Sequence, residues 1–414
     1  MKILLIGNHT CGNRGDAAIL RGLLSELREH DPDISVDIYS RYPVSSSYIV
    51  NEKISMDPLE QYHEYAPSFK DKLIKRYTRR FLSYLLAWKM KQGNTNNLPE
   101  LVLKQIENIK NYDAVIQVGG SNFVSMYGPF QFENALCVLL AKKKLFLIGH
   151  SVGPFHSKNY SKLANFVFSR VELLALREEI SLKLMRKANI SDSKVMKGSD
   201  TAWLVPNKLV KIPQHLDDLF NSKPVIAITL RELAPFDKQL GVTQAEYEQK
   251  VAELVTELTQ KGYKIVFCST GTGIDSYWRD DRMIALKVQA LVSSSDCYVI
   301  MDELNDVEIG SFLNKCILTI GTRLHSAIIS MNFDTPAIAI NYEHKSKGIM
   351  AQLDMPELSK DVSSLFDGEL LKATEVVLSN IETVTEQMRV KVEQERQLGK
   401  VMIKQVIENI KSSL

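Results

Sequence analysis

Short apolar runs alternate with longer amphipathic segments along the chain, and this alternation predicts strands that are separated by helices. Strands that are almost wholly apolar are typical of parallel sheets, which helices cover on both faces. In the first half the pattern predicts strands at Lys2–Ile6, Ser35–Tyr39, Ala114–Val118, Leu145–Ile148 and Glu172–Leu176. The helices predicted between these strands are Asp16–Glu29, Glu133–Lys142, Ser161–Phe168 and Ile180–Lys187.

The pattern restarts after a polar, proline-bounded stretch at 206–223, which we interpret as a linker. We therefore expect an α/β fold of GT-B-like architecture, in which two doubly wound, Rossmann-like domains with parallel sheets face each other across a cleft. The expected boundaries are 1–205 for the N-terminal domain, 224–368 for the C-terminal domain and 369–414 for a charged helical segment. Strands in the second domain are predicted at Val225–Leu230, Lys264–Ser269, Cys297–Met301, Ile317–Ile320 and Pro336–Ile340, with helices at Gln244–Gln260 and Arg282–Leu291.

Composition narrows the class of protein. The chain has 414 residues, of which 45% are apolar and 24% charged, and this is typical of a two-domain globular enzyme. A formal net charge of +2 argues against general affinity for nucleic acids, so no nucleic-acid partner is expected. Five dispersed cysteines without CxxC spacing predict buried, reduced thiols. Because the sequence has neither a signal-peptide pattern nor an apolar run of transmembrane length, we expect a cytoplasmic protein.

The most informative stretch for function follows two predicted strands of the second half. The run 317–320 ends at a glycine, and Arg323 and His325 then open a helix-like segment. The run 336–340 is followed at once by five polar or charged residues, 341–345. Ligands of open parallel sheets bind beyond the carboxyl ends of strands, and a helix start with an arginine favours an anion. We expect a site here for a small, strongly anionic molecule.

Three loops rich in glycine and small polar residues are predicted at strand ends in the first half, at 7–16, 119–122 and 149–154. The first loop lacks GxGxxG spacing, so it is not a dinucleotide fingerprint. Asp16 in this loop is either a helix-start residue favoured by the helix dipole or a residue of the cleft, acting as a general base or as a ligand of an acceptor sugar. Arg14 and His9 are equally placed for a structural or a ligand role. Together the three loops are expected to line one rim of a sheet as a sugar-binding surface.

The segment 69–91 is basic and amphipathic, with eight lysines and arginines against the single acid Asp71. Two interpretations stand side by side. The helix either contacts an anionic membrane surface or docks on its own domain with a solvated basic face. The apolar positions that fall on one helical stripe are Leu73, Ile74, Tyr77, Phe81, Tyr84, Leu85 and Trp88.

An ordered set of short motifs resembles one known family, the polysaccharide pyruvyl transferases, and is close to the colanic-acid type. The resemblance implies a GT-B-like fold. The resemblance spans most of the chain, and the ordered set is far more specific than any single piece. The matching pieces are GNHTCGNRGDAAILRGLL at 7–24, SRYPVSS at 40–46, QVGGSNF at 117–123, GHSVGP at 149–154, ALREEIS at 175–181, GSDTAWL at 198–204, TLRE at 229–232, GTRLHSAI at 321–328 and NYEHKSKGIM at 341–350.

The resemblance implies an activity and a donor site. Family members use phosphoenolpyruvate to place a pyruvate ketal on a sugar of a surface polysaccharide. The donor residues carry over to Arg231, Arg323, His325 and Lys345 of this chain. Lys345 stands in the family's tyrosine–acid–x–lysine stretch, where Glu343 replaces the aspartate that other members often carry. Phosphoenolpyruvate is the donor substrate, and the reaction requires no metal, so we expect neither a cofactor nor a metal.

On this interpretation His325 acts as the catalytic acid or as the hydrogen-bond donor to the departing phosphate, and Asp16 acts as the base on the acceptor side. The acceptor is expected to be a lipid-linked oligosaccharide or a polysaccharide repeat, with galactose as the expected sugar. An acceptor of that kind would suit a peripheral contact of 69–91 at the inner face of the cell membrane. The expected acceptor-binding residues are Asn13, Arg14, Asp16, Gly119, Gly120, Ser121, Asn122 and His150.

Two alternatives remain open at the level of sequence. The first is a GT-B glycosyltransferase or a sugar-nucleotide epimerase, although the charges at 323–345 suit a compact anion better than a nucleotide. The second is a non-catalytic component of the polysaccharide machinery that binds a ligand without turnover. Stabilisation by phosphoenolpyruvate or by a UDP-sugar separates the enzyme classes.

Overall fold

A computed structural model describes residues 1–64, 69–275, 277–342 and 344–413 of the chain. For residues 69–80, 239, 344 and 345 it describes the backbone alone.

The chain forms two compact units, and neither is one continuous stretch. The first unit contains residues 1–10, 23–204 and 398–414, and the second contains 11–22 and 205–397. The main division after Leu204 lies next to the expected boundary at 205. The structure differs from the expected boundaries in grouping 11–22 with the second unit and 398–414 with the first. Inside the expected linker it forms a short helix at Gln214–Asp217.

The first unit has a parallel sheet in the strand order β3-β2-β1-β4-β6-β7-β8, and β5 pairs with β6 outside this path. Residues 3–6 of β1 are fully buried at the centre of the sheet, as their apolar sequence predicts. The strands are β1 (Lys2–Asn8), β2 (Ser35–Ser40), β3 (Ile54–Met56), β4 (Ala114–Gln117), β5 (Gly120–Phe123), β6 (Lys144–Val152), β7 (Leu173–Leu176) and β8 (Val195–Lys197). The helices that begin before residue 205 are α1 (Arg14–His30), α2 (Pro43–Val50), α3 (Pro58–Glu64), α4 (Phe69–Gln92), α5 (Glu100–Ile109), α6 (Glu133–Leu140), α7 (Lys158–Phe168) and α8 (Glu179–Lys187).

The second unit has a parallel sheet in the order β11-β10-β9-β12-β13-β14. Two doubly wound parallel sheets give the GT-B-like α/β fold that the alternating pattern predicts. The strands are β9 (Val225–Thr229), β10 (Lys264–Phe267), β11 (Cys297–Val299), β12 (Leu318–Gly321), β13 (Ala337–Asn341) and β14 (Ser359–Asp361). The remaining helices are α9 (Gln214–Asp217), α10 (Asp237–Leu240), α11 (Gln244–Gln260), α12 (Asp281–Leu291), α13 (Asp306–Leu313), α14 (Leu324–Asn332), α15 (His344–Gln352), α16 (Glu369–Ser379) and α17 (Ile381–Lys411).

The C-terminal segment, predicted to be helical, is divided by Asn380 into α16 and α17. The last part of α17 belongs to the core of the first unit, where Met402 is fully buried. A Cβ atom on Gly198 would lie 2.7 Å from the sulfur of Met402, so the glycine leaves room for it. Lys144 Nζ donates to the carbonyl oxygen of Asn409 over 2.9 Å and anchors the end of the helix.

All five cysteines are buried and form no disulfide bond, as their spacing predicts.

Helix α4 docks on the first unit through a face that includes Leu85 but not the other described members of the predicted stripe. Leu82, Ser83 and Leu86 are buried, and the Ser83 hydroxyl donates to Glu133 on α6 over 3.1 Å. Three members of the predicted apolar stripe, Phe81, Tyr84 and Trp88, are instead 61%, 37% and 50% exposed. The described part of the stripe is therefore mostly exposed, because the core contacts Leu82 and Leu86, one position away, and contact of the stripe with a membrane stays a prediction. The stripe members Leu73, Ile74 and Tyr77 lie outside the described side chains. In the part of the chain that the structure describes, no helix has the length and apolarity to cross a membrane.

Candidate functional site

Three neighbouring strands of the second unit end at one edge of its sheet. β9, β12 and β13 are parallel neighbours, with Gly321 paired to Thr229 on one side and to Ala339 on the other. Arg231 lies two residues beyond the end of β9, and Arg323 lies two residues beyond the end of β12. The sheet therefore brings both arginines to the edge where parallel sheets bind ligands, as the strand pattern predicts.

Arg323 is the N-cap residue of α14 and forms an ion pair with the buried Asp281, the first residue of α12. Its Nε and Nη2 donate to the two carboxylate oxygens, the second over 2.7 Å. Burial by itself would lower the pKa of the guanidinium, but the Asp281 carboxylate outweighs burial and raises that pKa above its ordinary value. Arg323 is therefore a permanent cation, and the bidentate pair fixes its orientation.

Arg231 is held by an aromatic ring. Its guanidinium carbon lies 4.0 Å from the ring centroid of Tyr342, the residue that follows β13, and 5.4 Å from that of Phe236. Its Nε donates to the carbonyl oxygen of Glu232 over 2.8 Å. Stacking of this kind contributes about 0.5–2 kcal/mol and holds the planar group in one orientation. Tyr342 was not among the expected site residues, although its position directly after a strand is visible in the sequence.

Residues 11–16 of the first loop belong to the second unit, where Arg14 anchors them. The Arg14 side chain is fully buried, and its Nε donates to the carbonyl oxygen of Leu304 over 2.5 Å. Its Nη1 donates to the carbonyl oxygens of Cys11 and Gly12 over 3.0 and 2.9 Å, and its Nη2 pairs with Glu303. The expected role of Arg14 in binding an acceptor is therefore corrected to a structural one, since protein groups engage all three guanidinium nitrogens.

Backbone contacts of the same loop extend this anchor. Arg14 N donates to the carbonyl oxygen of Thr270 over 2.7 Å, and Thr272 N donates to that of Gly12 over 3.0 Å. Asn13 forms an antiparallel bridge with Gly271, and its side-chain oxygen accepts from Gly15 N over 3.1 Å. The start of α1 is thereby fixed beyond the end of β10. The side chain of Asn13 thus caps its own helix.

Gly15 brings the start of α1 against His325. A Cβ atom at Gly15 would lie 2.6 Å from His325 Cβ, closer than packed carbon atoms approach. The half-buried Asp16 follows in the first turn of α1, and the half-buried His325 lies in the first turn of α14. Both proposed catalytic residues therefore belong to the second unit, although the sequence analysis assigned Asp16 to the N-terminal domain.

A cavity of about 210 Å³ lies beside Arg323. Basic and acidic side chains both line it, so the charge of Arg323 is locally balanced and is not part of a basic patch. Sequence reasoning missed Asp281, whose only local signal is a pair of aspartates at a helix start. In the described part of the chain, no three His, Cys, Asp or Glu side chains are grouped as metal ligands. The charged lining residues are Glu232, Glu248, Arg279, Asp280, Asp281, Lys287 and Arg323.

Lys345, the remaining expected donor residue, lies outside the residues whose side chains are described, as do Glu343 and His344.

The expected glycine loops of the first unit are largely strands. Gly120, Ser121 and Asn122 lie in β5, and His150 lies in β6 opposite Gly120. A Cβ atom at Gly119 would lie 2.7 Å from the carbonyl oxygens of residues 148 and 149, so only glycine fits at this position. The loop prediction is therefore corrected, since these glycines allow close approach between two paired strands as well as turns.

His150 does not contact a ligand surface. It is fully buried, its Nε2 lies 3.3 Å from the carbonyl oxygen of Gln117, and its ring centroid lies 5.1 Å from that of Phe123. Burial lowers the pKa of this imidazole to about 3. The expected acceptor-binding role of His150 is therefore corrected to that of a neutral core residue.

Comparison with known proteins identifies relatives over almost the whole chain. The family model for polysaccharide pyruvyl transferase matches residues 13–344, a range that includes Asp16, Arg231, Arg323 and His325. The amylovoran biosynthesis protein AmsJ of Erwinia amylovora is 50% identical over 418 residues, which cover 99% of this chain and 100% of AmsJ.

Solved structures with the same fold are distant in sequence. Alr3699/HepE of Anabaena, in complex with UDP and glucose, gives a TM-score of 0.61 at 12% identity and covers 100% of both chains. The UDP-GlcNAc 2-epimerase of Neisseria meningitidis, bound to UDP-GlcNAc, gives a TM-score of 0.60 at 11% identity over 100% of both chains. At this level of identity the likeness shows the fold alone, and the fold is the GT-B-like one described above.

Gly15→Ala tests the contact between α1 and His325. The added methyl group overlaps His325, and overpacking of this kind costs about 1–3 kcal/mol of unfolding free energy. In a His325→Gly background the overlapping side chain is gone, and alanine is at least as favourable as glycine within a helix. The substitution is then expected to be neutral or slightly stabilising, as measured by urea unfolding of the four proteins of the cycle. Equal costs in both backgrounds would contradict the contact.

His150→Gln tests the buried neutral imidazole. An unfolded histidine takes up a proton as the pH falls below about 6.5, whereas the folded one does so only near 3. The unfolded state therefore binds more protons between these values, and His150 lowers stability by up to about 1.4 kcal/mol for each pH unit of acidification. In urea unfolding at pH 7, 6 and 5, the variant should lose less stability on acidification than the wild type. Parallel pH profiles would show that His150 is not the group responsible.

Proposed function

The chain belongs to the polysaccharide pyruvyl transferase family, and we propose that it moves pyruvate from phosphoenolpyruvate onto a sugar of an exopolysaccharide repeat as a cyclic ketal. The observation that carries this proposal is the family match over residues 13–344, which spans both proposed catalytic residues. The 50% identity to an amylovoran biosynthesis protein supports exopolysaccharide as the product class. Galactose is the sugar that we propose as the acceptor.

Donor binding is proposed at the carboxyl edge of the second unit. Phosphoenolpyruvate carries a carboxylate and a phosphate, and arginine presents planar pairs of N–H donors that match such groups. Arg231 and Arg323 are the proposed ligands, with Lys345 as a third cation. Support comes from their shared position beyond β9 and β12 and from the rigid hold on each guanidinium by Tyr342 or Asp281.

The proposed reaction conserves atoms and charge in two additions. A sugar hydroxyl adds to C2 of phosphoenolpyruvate while a proton is delivered to the methylene carbon, which becomes a methyl group. The C–O bond to phosphate then breaks, a second hydroxyl adds to C2, and the cyclic ketal closes. The two hydroxyl groups lose two protons, of which the methyl group retains one and phosphate removes the other.

His325 is proposed as the acid that protonates the methylene carbon, and Asp16 as the base that accepts a hydroxyl proton. An imidazole exchanges protons near neutral pH, and a carboxylate near a hydroxyl serves as an acceptor. The support for this pairing is the packing of Gly15 against His325, which brings the first turn of α1 to the start of α14.

We further propose that helix α4 binds the surface of an anionic membrane, where a lipid-linked acceptor would be presented. Phe81, Tyr84 and Trp88 are exposed at i, i+3 and i+7 on one side of the helix. Aromatic side chains next to basic ones favour the headgroup region of a bilayer. The same helix carries Lys or Arg at positions 70, 72, 75, 76, 79, 80, 89 and 91.

Phosphoenolpyruvate is expected to stabilise the protein against thermal unfolding. At about 100 times Kd the gain is about 2.7 kcal/mol. Arg231→Ala and Arg323→Ala each remove a charge-assisted contact that is typically worth about 1.5–3 kcal/mol, so most of the ligand-induced gain should be lost. Comparing each variant with and without ligand separates binding from any loss of intrinsic stability.

The matched control for this experiment is Arg389→Ala, which breaks the exposed ion pair with Asp334 in the same unit. The control should keep the full gain from phosphoenolpyruvate. A wild-type protein that responds to a UDP-sugar and not to phosphoenolpyruvate would reject the proposed donor.

Membrane binding is tested by sedimentation with vesicles of phosphatidylcholine containing phosphatidylserine. The triple variant Phe81→Ala, Tyr84→Ala, Trp88→Ala should bind at least about tenfold more weakly, because each ring removes apolar contact with the interface. Replacing Arg76, Arg79 and Arg80 by glutamate should weaken binding and reduce its dependence on salt. Trp278→Ala is the control, since Trp278 is 72% exposed on the second unit. Unchanged binding of the triple aromatic variant would exclude this surface.

A further inference from the structure

Two of the family-like motifs, ALREEIS at 175–181 and GSDTAWL at 198–204, have so far no role in the proposed reaction. The first runs from β7 into α8, and the second follows β8. Both lie at the carboxyl edge of the sheet of the first unit, next to β6 and β5. Arg177, Glu178 and Asp200 of these motifs are buried, whereas Glu179 is exposed. The role of the three buried charged residues therefore lies in the segments that they hold in place.

Arg177 connects three separate segments of this edge. It lies one residue beyond β7 and is only 2% exposed. Its Nε donates to Ser151 Oγ in β6 over 2.9 Å, and its Nη1 donates to Asp200 Oδ2 over 2.6 Å. Its Nη2 donates to Ser121 Oγ in β5 over 2.9 Å. The planar guanidinium thus acts as a single rigid connection between β5, β6 and the turn after β8.

Asp200 stabilises the buried charge of Arg177 and fixes the orientation of its guanidinium group. The carboxylate is 1% exposed, and its second oxygen accepts from Ala202 N over 3.0 Å. A buried arginine is tolerated only with a charged partner and satisfied N–H groups. Because one carboxylate oxygen is committed to the turn at 201–204, the guanidinium is held relative to the backbone and not only to another side chain.

The next residue of the motif secures the adjacent end of β6. Glu178 is the N-cap of α8, and its Oε2 accepts from Ser181 N over 2.8 Å. The Ser181 hydroxyl oxygen accepts from Val152 N over 2.8 Å and lies 3.2 Å from the Val152 carbonyl oxygen. The strand that supports β5 is therefore fixed independently of Arg177, and Arg177 adds a connection to β5 itself.

Strand β5 depends on such a connection because it is short and pairs only with β6 in the described sheet. Its first residue, Gly120, has a φ of +143°, which a side chain would disfavour. Its pairing with β6 shifts register before Phe123. Of the hydrogen bonds that hold β5, the one from Arg177 to Ser121 is made by a charged and buried donor.

The direction of that bond has a chemical consequence. A hydroxyl oxygen that accepts from a guanidinium keeps its own proton to donate elsewhere. Ser121 is half-buried, so its proton is available at the edge of the sheet. An O–H donor beside the Asn122 amide is the kind of group that binds the hydroxyl oxygens of a sugar.

We propose that Arg177 is a positioning residue for the acceptor, which orients the Ser121 hydroxyl as a hydrogen-bond donor to a sugar hydroxyl. This inference rests on the proposed function and on the assignment of Ser121 to acceptor binding. Asp200 supports the same role by holding the guanidinium. The ALREEIS and GSDTAWL motifs then have one common role, which is to hold β5 and the Ser121 hydroxyl in place for the acceptor.

The test uses the full-length protein with phosphoenolpyruvate and exopolysaccharide of the source organism, freed of its ketals by mild acid, with phosphate release as the readout. Ser121→Ala removes a single hydroxyl and should raise the acceptor KM by about tenfold, the value of one hydrogen bond, with kcat nearly unchanged. Arg177→Lys keeps the positive charge but not the planar set of N–H donors, so it should raise the acceptor KM by a similar factor. The double variant should be no worse than either single one, because both act through the same hydroxyl.

Controls and opposite outcomes separate this inference from the proposed function. Arg186→Lys alters the exposed ion pair with Asp192 in the same unit and should leave both KM values unchanged. If Arg177→Lys lowers only the melting temperature, or if Ser121→Ala leaves the acceptor KM within twofold of wild type, the positioning role is rejected. Should Arg177→Lys fail to fold, Ser121→Ala alone decides.

Donor binding is followed in parallel by the thermal shift with phosphoenolpyruvate. Both variants should keep the full shift, since Ser121 and Arg177 belong to the first unit and the proposed donor residues to the second. A wild-type protein that binds phosphoenolpyruvate but releases no phosphate with the acceptor would overturn the acceptor assignment and this inference with it. A wild-type protein that does not respond to phosphoenolpyruvate would instead overturn the proposed function.

Discussion

The buried guanidinium of Arg14 is the interaction on which the candidate site depends. It fastens the loop between the first strand and the first helix to residues 303 and 304, far along the chain. This anchor holds Gly15 against His325 and thereby fixes the position of Asp16 at the edge of the second sheet. Since a buried arginine is stable only when its donors are satisfied, the loop conformation and the charge stabilise each other.

The strand pattern was sufficient to place Arg231, Arg323 and His325, because parallel strands that alternate with helices must end at a common edge. Helix α11 illustrates how much local signals can specify. Its bounds, 244–260, coincide with the predicted ones, and in the structure Thr243 and Glu246 form a capping box at its start. Where a capping box and the helical periodicity favour the same bounds, tertiary packing changes those bounds little.

Features that depend on distant partners were not visible in the sequence. The structural role of Arg14 could not be told from a ligand role, because its partner Glu303 is 289 positions away. Residues 120–122 resemble part of a loop in the sequence, and only their pairing with β6 makes them a strand. Which apolar side of α4 faces the core was left open by the sequence, because two apolar faces are available and packing selects one of them. In each case the deciding energy comes from burial against another element, which no local window contains.

The division of the chain also constrains how the protein is made. The second unit needs residues 11–22, which are synthesised long before the rest of it, and the first unit needs residues 398–414, which are synthesised long after its eight strands. Neither unit is therefore complete until synthesis has reached α17. During synthesis the first sheet must remain without the helical segment 398–414 while the whole second unit is made. A fragment cut at the apparent boundary after Leu204 would leave each half without a segment of its own core.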